Sequence, residues 1–139
     1  MEVSELRESL GLELEEVGPR RYVARVDAGR VVEVARKMLE ATGGGAYLAN
    51  ITAVDWPDRG VIELAYNFWV YGGYLVSVRV EVPRDAAEVD SITPVYPGAL
   101  AHELEVHDLM GVRFRGNEMI WEPAFKPEDM KGVYPLRKR

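Results

Sequence analysis

Residues 61–80, "VIELAYNFWVYGGYLVSVRV", constrain the fold more than any other stretch of the chain. In the first half, Ile62, Leu64, Tyr66, Phe68 and Val70 occupy every second position, so in an extended chain they all face the same way. The second half alternates as cleanly and continues to residue 82, with Val76, Val78, Val80 and Val82 set against Ser77, Arg79 and Glu81. Between them stand Gly72 and Gly73, which reach positive φ without a steric penalty, so the spacing predicts a tight antiparallel hairpin. Pro83 ends the ladder because it cannot donate to it. A hairpin with one apolar face needs a cover, and the rest of the chain must supply it.

Two helical patterns do so early in the chain. Residues 3–10 place Val3, Leu6 and Leu10 on one side, and residues 28–42 repeat Val31, Val34, Ala35, Met38 and Leu39 at helical spacing. Asp27 is the expected N-cap of the second helix and Gly43 its left-handed stop. Between the helices, residues 12–27 read as two strands around the Gly18-Pro19 turn, and residues 46–56 are rich in β-formers. A third helix follows Pro94 and Pro97 and closes at Gly111. The order α-β-β-α-β-β-β-α predicts an α+β two-layer sandwich, a mixed and mostly antiparallel sheet with helices on one face. Residues 1–120 are expected to form this single domain. Residues 121–139, punctuated by Pro123, Pro127 and Pro135, are expected to run as an extended C-terminal arm.

Several function classes are disfavoured at once. With no cysteine among 139 residues, the chain has no disulfide, no cysteine-ligated iron–sulfur cluster and no cysteine zinc site. A net charge of −6 argues against general nucleic-acid binding. The start, "MEVSELRESL", is acidic and does not look like a secretory leader, and no run of about 18 apolar residues suggests a membrane span, so any membrane association is expected through a partner. The triple glycine 43–45 follows a helix and precedes a strand. A phosphate loop has the reverse order, so this one reads as a helix stop.

"HELEVHDLMG", residues 102–111, holds both histidines and is the one cluster with metal-ligand chemistry. Zinc-binding HExxH works because residues four apart share a helix face. Here the spacing is HExxxH, which at about 100° per residue sets His107 roughly 140° around the axis from His102. Glu103 and His107 are four apart but make only two ligands, short of the three typical of catalytic zinc. A small metal-dependent hydrolase built on His102, Glu103, His107 and Asp108 is therefore the alternative and not the leading reading. On the same wheel Val106, Leu109 and Met110 form the core stripe, with His102 half-buried in its arc. Glu103, Glu105 and Asp108 are expected on a solvated face with His107 beside Glu103. Leu104 lies nearly opposite the stripe, which hints at an interface.

At this helix the sequence resembles a known family. "ELEVHDLMGVRFRGN" (103–117) is similar to the signature of the C subunit of NADH-quinone oxidoreductase, the respiratory complex I family, and of its relatives in membrane-bound energy-converting hydrogenases. Glu103, Glu105, Asp108, Leu109, Met110, Gly111, Phe114 and Gly116 match, while Leu104 stands in place of an arginine and Asn117 in place of the usual histidine. "VDWPDR" (54–59), "VSVRVEVP" (76–83), "SITPVYPGA" (91–99) and "KPEDMKGVYPLRK" (126–138) extend the likeness in the same order. The resemblance implies a non-catalytic subunit of the hydrophilic arm, on the cytoplasmic side and peripheral to the membrane. It implies no cofactor on this chain, with iron–sulfur clusters on partner subunits, and docking on the catalytic large subunit and a cluster-carrying neighbour. The partner-facing residues it suggests are Glu103, Leu104, Glu105, His107 and Asp108, with Arg137 and Lys138 meeting acidic partner surface.

Overall fold

The computed structural model describes residues 1–119 and 136–137. Helix α1 spans Val3–Leu10, strands β1 and β2 span Glu15–Gly18 and Arg21–Arg25, and a 3-10 turn at Ala28–Arg30 leads into α2, Val31–Ala41. Strands β3 (Ala46–Trp56), β4 (Val61–Val70) and β5 (Tyr74–Pro83) follow, then a 3-10 turn at Arg84–Ala86 and a short β6 at Glu88–Asp90. Helix α3 covers Ala99–Met110 and β7 covers Arg113–Arg115. None of the helices among the described residues is long and apolar enough to cross a membrane.

The hairpin forms where the alternation places it. Strands β4 and β5 pair antiparallel from Val61↔Pro83 to Val70↔Tyr74, and Gly72 and Gly73 adopt φ of 118° and 94° in the connecting loop. Strand β3 adds on the far side of β4, antiparallel, with a register shift between Leu48 and Asn50. Strand β2 joins the other side, parallel to β5, and β1 completes the order β1-β2-β5-β4-β3. The sheet is thus mixed and mostly antiparallel, and the fold is the α+β class expected.

Ile62, Leu64, Tyr66, Phe68 and Val70 are all buried, and Leu6 and Leu10 of α1 and Val34 and Met38 of α2 join them in one core. On the outward side Tyr47 and Val54 of β3 and Trp69 of β4 are exposed, the other outward positions of β4 are half-buried, and Ser77 of β5 is buried. The helices therefore cover one face of the sheet and leave the other open.

Two local expectations change. Asp27 does not cap α2. Its carbonyl accepts from Arg30 N–H at 2.9 Å in the 3-10 turn, its side chain caps nothing, and α2 starts only at Val31. Strands β6 and β7 carry no readable period at three residues each, yet they pair in parallel, Glu88↔Arg113 to Asp90↔Arg115, and so tie together the two ends of the α3 segment. Of the expected arm, residues 121–135 and 138–139 lie outside the described residues.

The core makes a direct prediction. Phe68 is 1% exposed and its ring meets that of Tyr96 at 5.2 Å between centroids. Phe68→Ala should cost about 3–5 kcal/mol, read as a lowered urea midpoint at unchanged slope.

Candidate functional site

Helix α3 does not present its acids to solvent. Ala99, Glu103, Val106 and Met110 form its buried stripe and Leu109 packs half-buried against the core, so the apolar pattern holds and an acid is added to it. Glu103 is 0% exposed. Its Oε1 accepts from the Ser91 hydroxyl at 2.6 Å and the Asn117 side-chain amide at 2.9 Å, and its Oε2 accepts from the backbone N–H of Ile92 at 2.8 Å. Ser91 Oγ in turn accepts from Thr93 N–H at 3.1 Å, and Asn117 Oδ1 accepts from Met119 N–H at 3.0 Å. Three donors meeting one carboxylate explain how the chain tolerates an acid inside a hydrophobic core.

These contacts join separate pieces of sequence. Ser91 and Ile92 follow β6 and Asn117 follows β7, and the β6–β7 ladder holds both near α3, helped by Ser91 N–H donating to Arg115 O at 2.8 Å. Tyr96 anchors the same segment to the sheet, its hydroxyl donating to Ala46 O at 3.1 Å, and burial pushes that phenol up to about 12. Burial raises the Glu103 carboxyl above its ordinary value, with the hydrogen bonds from Ser91, Ile92 and Asn117 pulling the other way. The Tyr66 phenol is raised too, by its burial first and by the nearby Glu103 second.

Asp108 is 0% exposed and Leu104 is 8% exposed, so α3 is buried on a second side as well. Asp108 Oδ1 lies 3.0 Å from His107 Nδ1. The expectation of a solvated face holding Glu103, Glu105 and Asp108, with Leu104 exposed opposite the core, is therefore corrected for three of the four. Only Glu105 is exposed, with His102 and His107 half-buried. Nor does His107 pair with Glu103, whose oxygens are already engaged. Among the described residues no three histidine or acid side chains converge to hold a metal ion, and nothing here supports the hydrolase built on His102, Glu103, His107 and Asp108.

Arg137 closes the far end of this helix. Its Nε donates to Met110 O at 2.6 Å and Leu136 N–H donates to Leu109 O at 3.0 Å, so two of the last orphan carbonyls of α3 are met by the C-terminal segment. Leu136 also lines a groove with Ile51, Ala53, Val106 and Met110. Lys138 lies outside the described residues.

A second buried charge pair sits at the other end of the sheet. Asp55 is 2% exposed and receives Arg84 on both oxygens, at 2.7 and 3.1 Å, which ties the end of β3 to the turn after β5. Next to it the Arg59 guanidinium lies over the Trp56 ring at 5.8 Å. No spacing in the sequence signals the Asp55–Arg84 pair, because its partners are far apart in the chain and become neighbours only through the β3–β4–β5 meander.

Comparison with known proteins agrees with this architecture. Residues 24–139 match the family described as respiratory-chain NADH dehydrogenase, 30 Kd subunit. The chain is 32% identical over 121 residues to the C subunit of the F(420)H(2) dehydrogenase of Methanosarcina mazei, covering 86% of this chain and 75% of that one. It is 35% identical over 114 residues to the C subunit of the NADH-quinone oxidoreductase of Moorella thermoacetica, covering 81% and 75%. Among solved structures it superposes on a chain of the membrane-bound sulfane sulfur reductase, an archaeal respiratory membrane complex, with a TM-score of 0.81 and 34% identity over 97% of this chain and 81% of that one. The trypsin-resistant fragment of Nqo5 shares the fold, with a TM-score of 0.65 at 24% identity over 85% and 96% of the two chains.

The Glu103 knot can be tested by an isosteric change. In Glu103→Gln one amide N–H must face a donor, since all three neighbours donate, and the variant should lose about 1–3 kcal/mol. Because the folded carboxyl titrates above its unfolded value, the native state holds the extra proton between the two. That contribution is complete at acidic pH and fades as pH rises through the raised value. The stability gap between wild type and Glu103→Gln should therefore be widest at acidic pH and narrow toward neutrality, measured by urea denaturation across pH.

Proposed function

Because the chain belongs to the respiratory-chain NADH dehydrogenase 30 Kd subunit family, and is thus a subunit of a complex I-type or related membrane-bound oxidoreductase assembly, we propose that it acts there as a non-catalytic brace. In this reading it sits in the hydrophilic arm on the cytoplasmic side and reaches the membrane only through its companions. It docks on the hydrogenase-like large subunit and on an iron–sulfur subunit, and supports electron transfer by holding them in register. It binds no cofactor, the clusters residing on partner subunits.

The observation that carries this reading is the Glu103 knot. The acid that marks the family-like "ELEVHD" helix spends both oxygens on Ser91, Ile92 and Asn117 of its own chain, and so fixes shape and offers no reactive group to a substrate. The absence of cysteine supports it, since cluster ligation by thiolate is closed to this chain. Partner contacts in this reading fall to Glu105, His107 and Lys138. Glu105 on α3 serves for a basic surface, His107 for a hydrogen bond, and Lys138, next in sequence to the α3-bound Arg137, for an acidic surface. Glu103, Leu104 and Asp108 act indirectly by setting how the helix lies.

A tagged chain recovered from its native membranes in mild detergent should bring down a large subunit and a cluster-bearing subunit. The chain purified alone should be colourless, without stoichiometric iron or zinc, and without turnover of quinone or a reduced carrier. Bound metal in the lone chain, or turnover by it, contradicts the proposal.

A further inference from the structure

The open face of the sheet carries an arrangement that the fold itself does not need. Tyr47, Trp69 and Leu75 sit side by side across β3, β4 and β5 on that face, with Tyr47 59% and Trp69 39% exposed. In the neighbouring rows Asn67 donates to Asn50 at 2.6 Å, Arg25 stands directly opposite Arg79, and Glu63 directly opposite Glu81. Like charges in register destabilise a sheet, and here they are relieved only in part. Arg25 reaches Glu63 at 3.1 Å, and Arg59 pairs with Glu81.

Arg79 is left over. Its Nε reaches only the Ser77 hydroxyl, at 3.4 Å, and among the described residues no carboxylate lies within ion-pair distance of it. It lines an open cleft of about 760 Å³ together with Arg25, Arg30, Arg59, Asp27, Glu63 and Glu81, so four guanidiniums face three acids on a chain whose net charge is −6.

We infer that this face is a docking surface for a neighbouring subunit of the complex, which lays apolar side chains on Tyr47 and Trp69 and inserts an aspartate or glutamate carboxylate beside Arg79. The inference rests on the reading of the chain as a brace within a complex. Exposed tyrosine and tryptophan, with arginine, are the side chains that most often anchor such contacts, and Arg79 lies two cross-strand rows from Trp69 on the same face. A half-buried guanidinium with a like charge opposite gains most from a carboxylate that arrives with the water excluded. The incoming acid completes the alternation of charge that Glu63 and Glu81 begin.

The test uses the full chain, tagged, inside the complex isolated from its native membranes. Oxidative footprinting should modify Trp69 and Tyr47 roughly tenfold more slowly in the complex than in the free chain. Arg79→Glu should lower recovery of partner subunits by roughly tenfold, with Arg79→Lys in between, while the free variants melt like wild type. Equal modification of Trp69 in the complex and the free chain overturns the inference, as does full partner recovery with Arg79→Glu. Protection that appears in the lone chain through self-association also overturns it, since a second copy is then the occupant. If the wild-type chain recovers no partners, the reading as a brace falls and this inference with it. If partners are recovered while Trp69 stays reactive, this inference alone falls.

Discussion

A carboxylate that cannot reach water holds this molecule together at its most irregular point. Glu103 sits where helix α3, the turn after β6 and the turn after β7 meet, and its three donors come from two segments that share no secondary structure with it. Burying an acid is unfavourable unless each oxygen is met. Here both are, so the same group that opposes collapse also selects one arrangement of the three segments. The short parallel ladder of β6 and β7 depends on that selection, because three residues per strand bury little by themselves.

This bears on what the family-like motifs mean. "SITPVYPGA" supplies Ser91, Ile92 and Tyr96, "ELEVHDLMGVRFRGN" supplies Glu103 and Asn117, and "VDWPDR" supplies Asp55 and Trp56. Placed in space, the first two are one hydrogen-bonded unit and the third is a separate ion pair at the opposite end of the sheet. Asn117 stands where the resemblance has a histidine, and its amide keeps a donor aimed at Glu103 while its carbonyl accepts from Met119 N–H. The motifs of this chain are read most simply as instructions for building a rigid surface, in line with membership of a multisubunit oxidoreductase.

Much of the fold is legible in the sequence because alternation and helical spacing are strong signals over ten residues. Ile62 to Val70, Val76 to Val82 and Val31 to Met38 announce their elements and their inner faces. Helix α3 is legible as a helix and misleading as a surface. Its apolar spacing points to Val106, Leu109 and Met110, yet the chain buries Ala99 and Glu103 on that arc and Leu104 and Asp108 on another. A charged residue looks solvated until its donors are known, and the donors of Glu103 lie eleven to fourteen positions away. The Arg25–Arg79 juxtaposition is equally hidden, since only the parallel register of β2 on β5 brings those two residues opposite each other.

That register has a consequence for how the chain is made. Strand β2 can find its place only after α2, β3, β4 and β5 have all been synthesised, whereas the β4–β5 hairpin forms from adjacent residues. During translation roughly the first thirty residues thus wait with an unsatisfied strand edge, in the slow class of non-local pairings. A companion that captured the open edge of β2 before β5 left the ribosome would compete directly with the β2–β5 pairing.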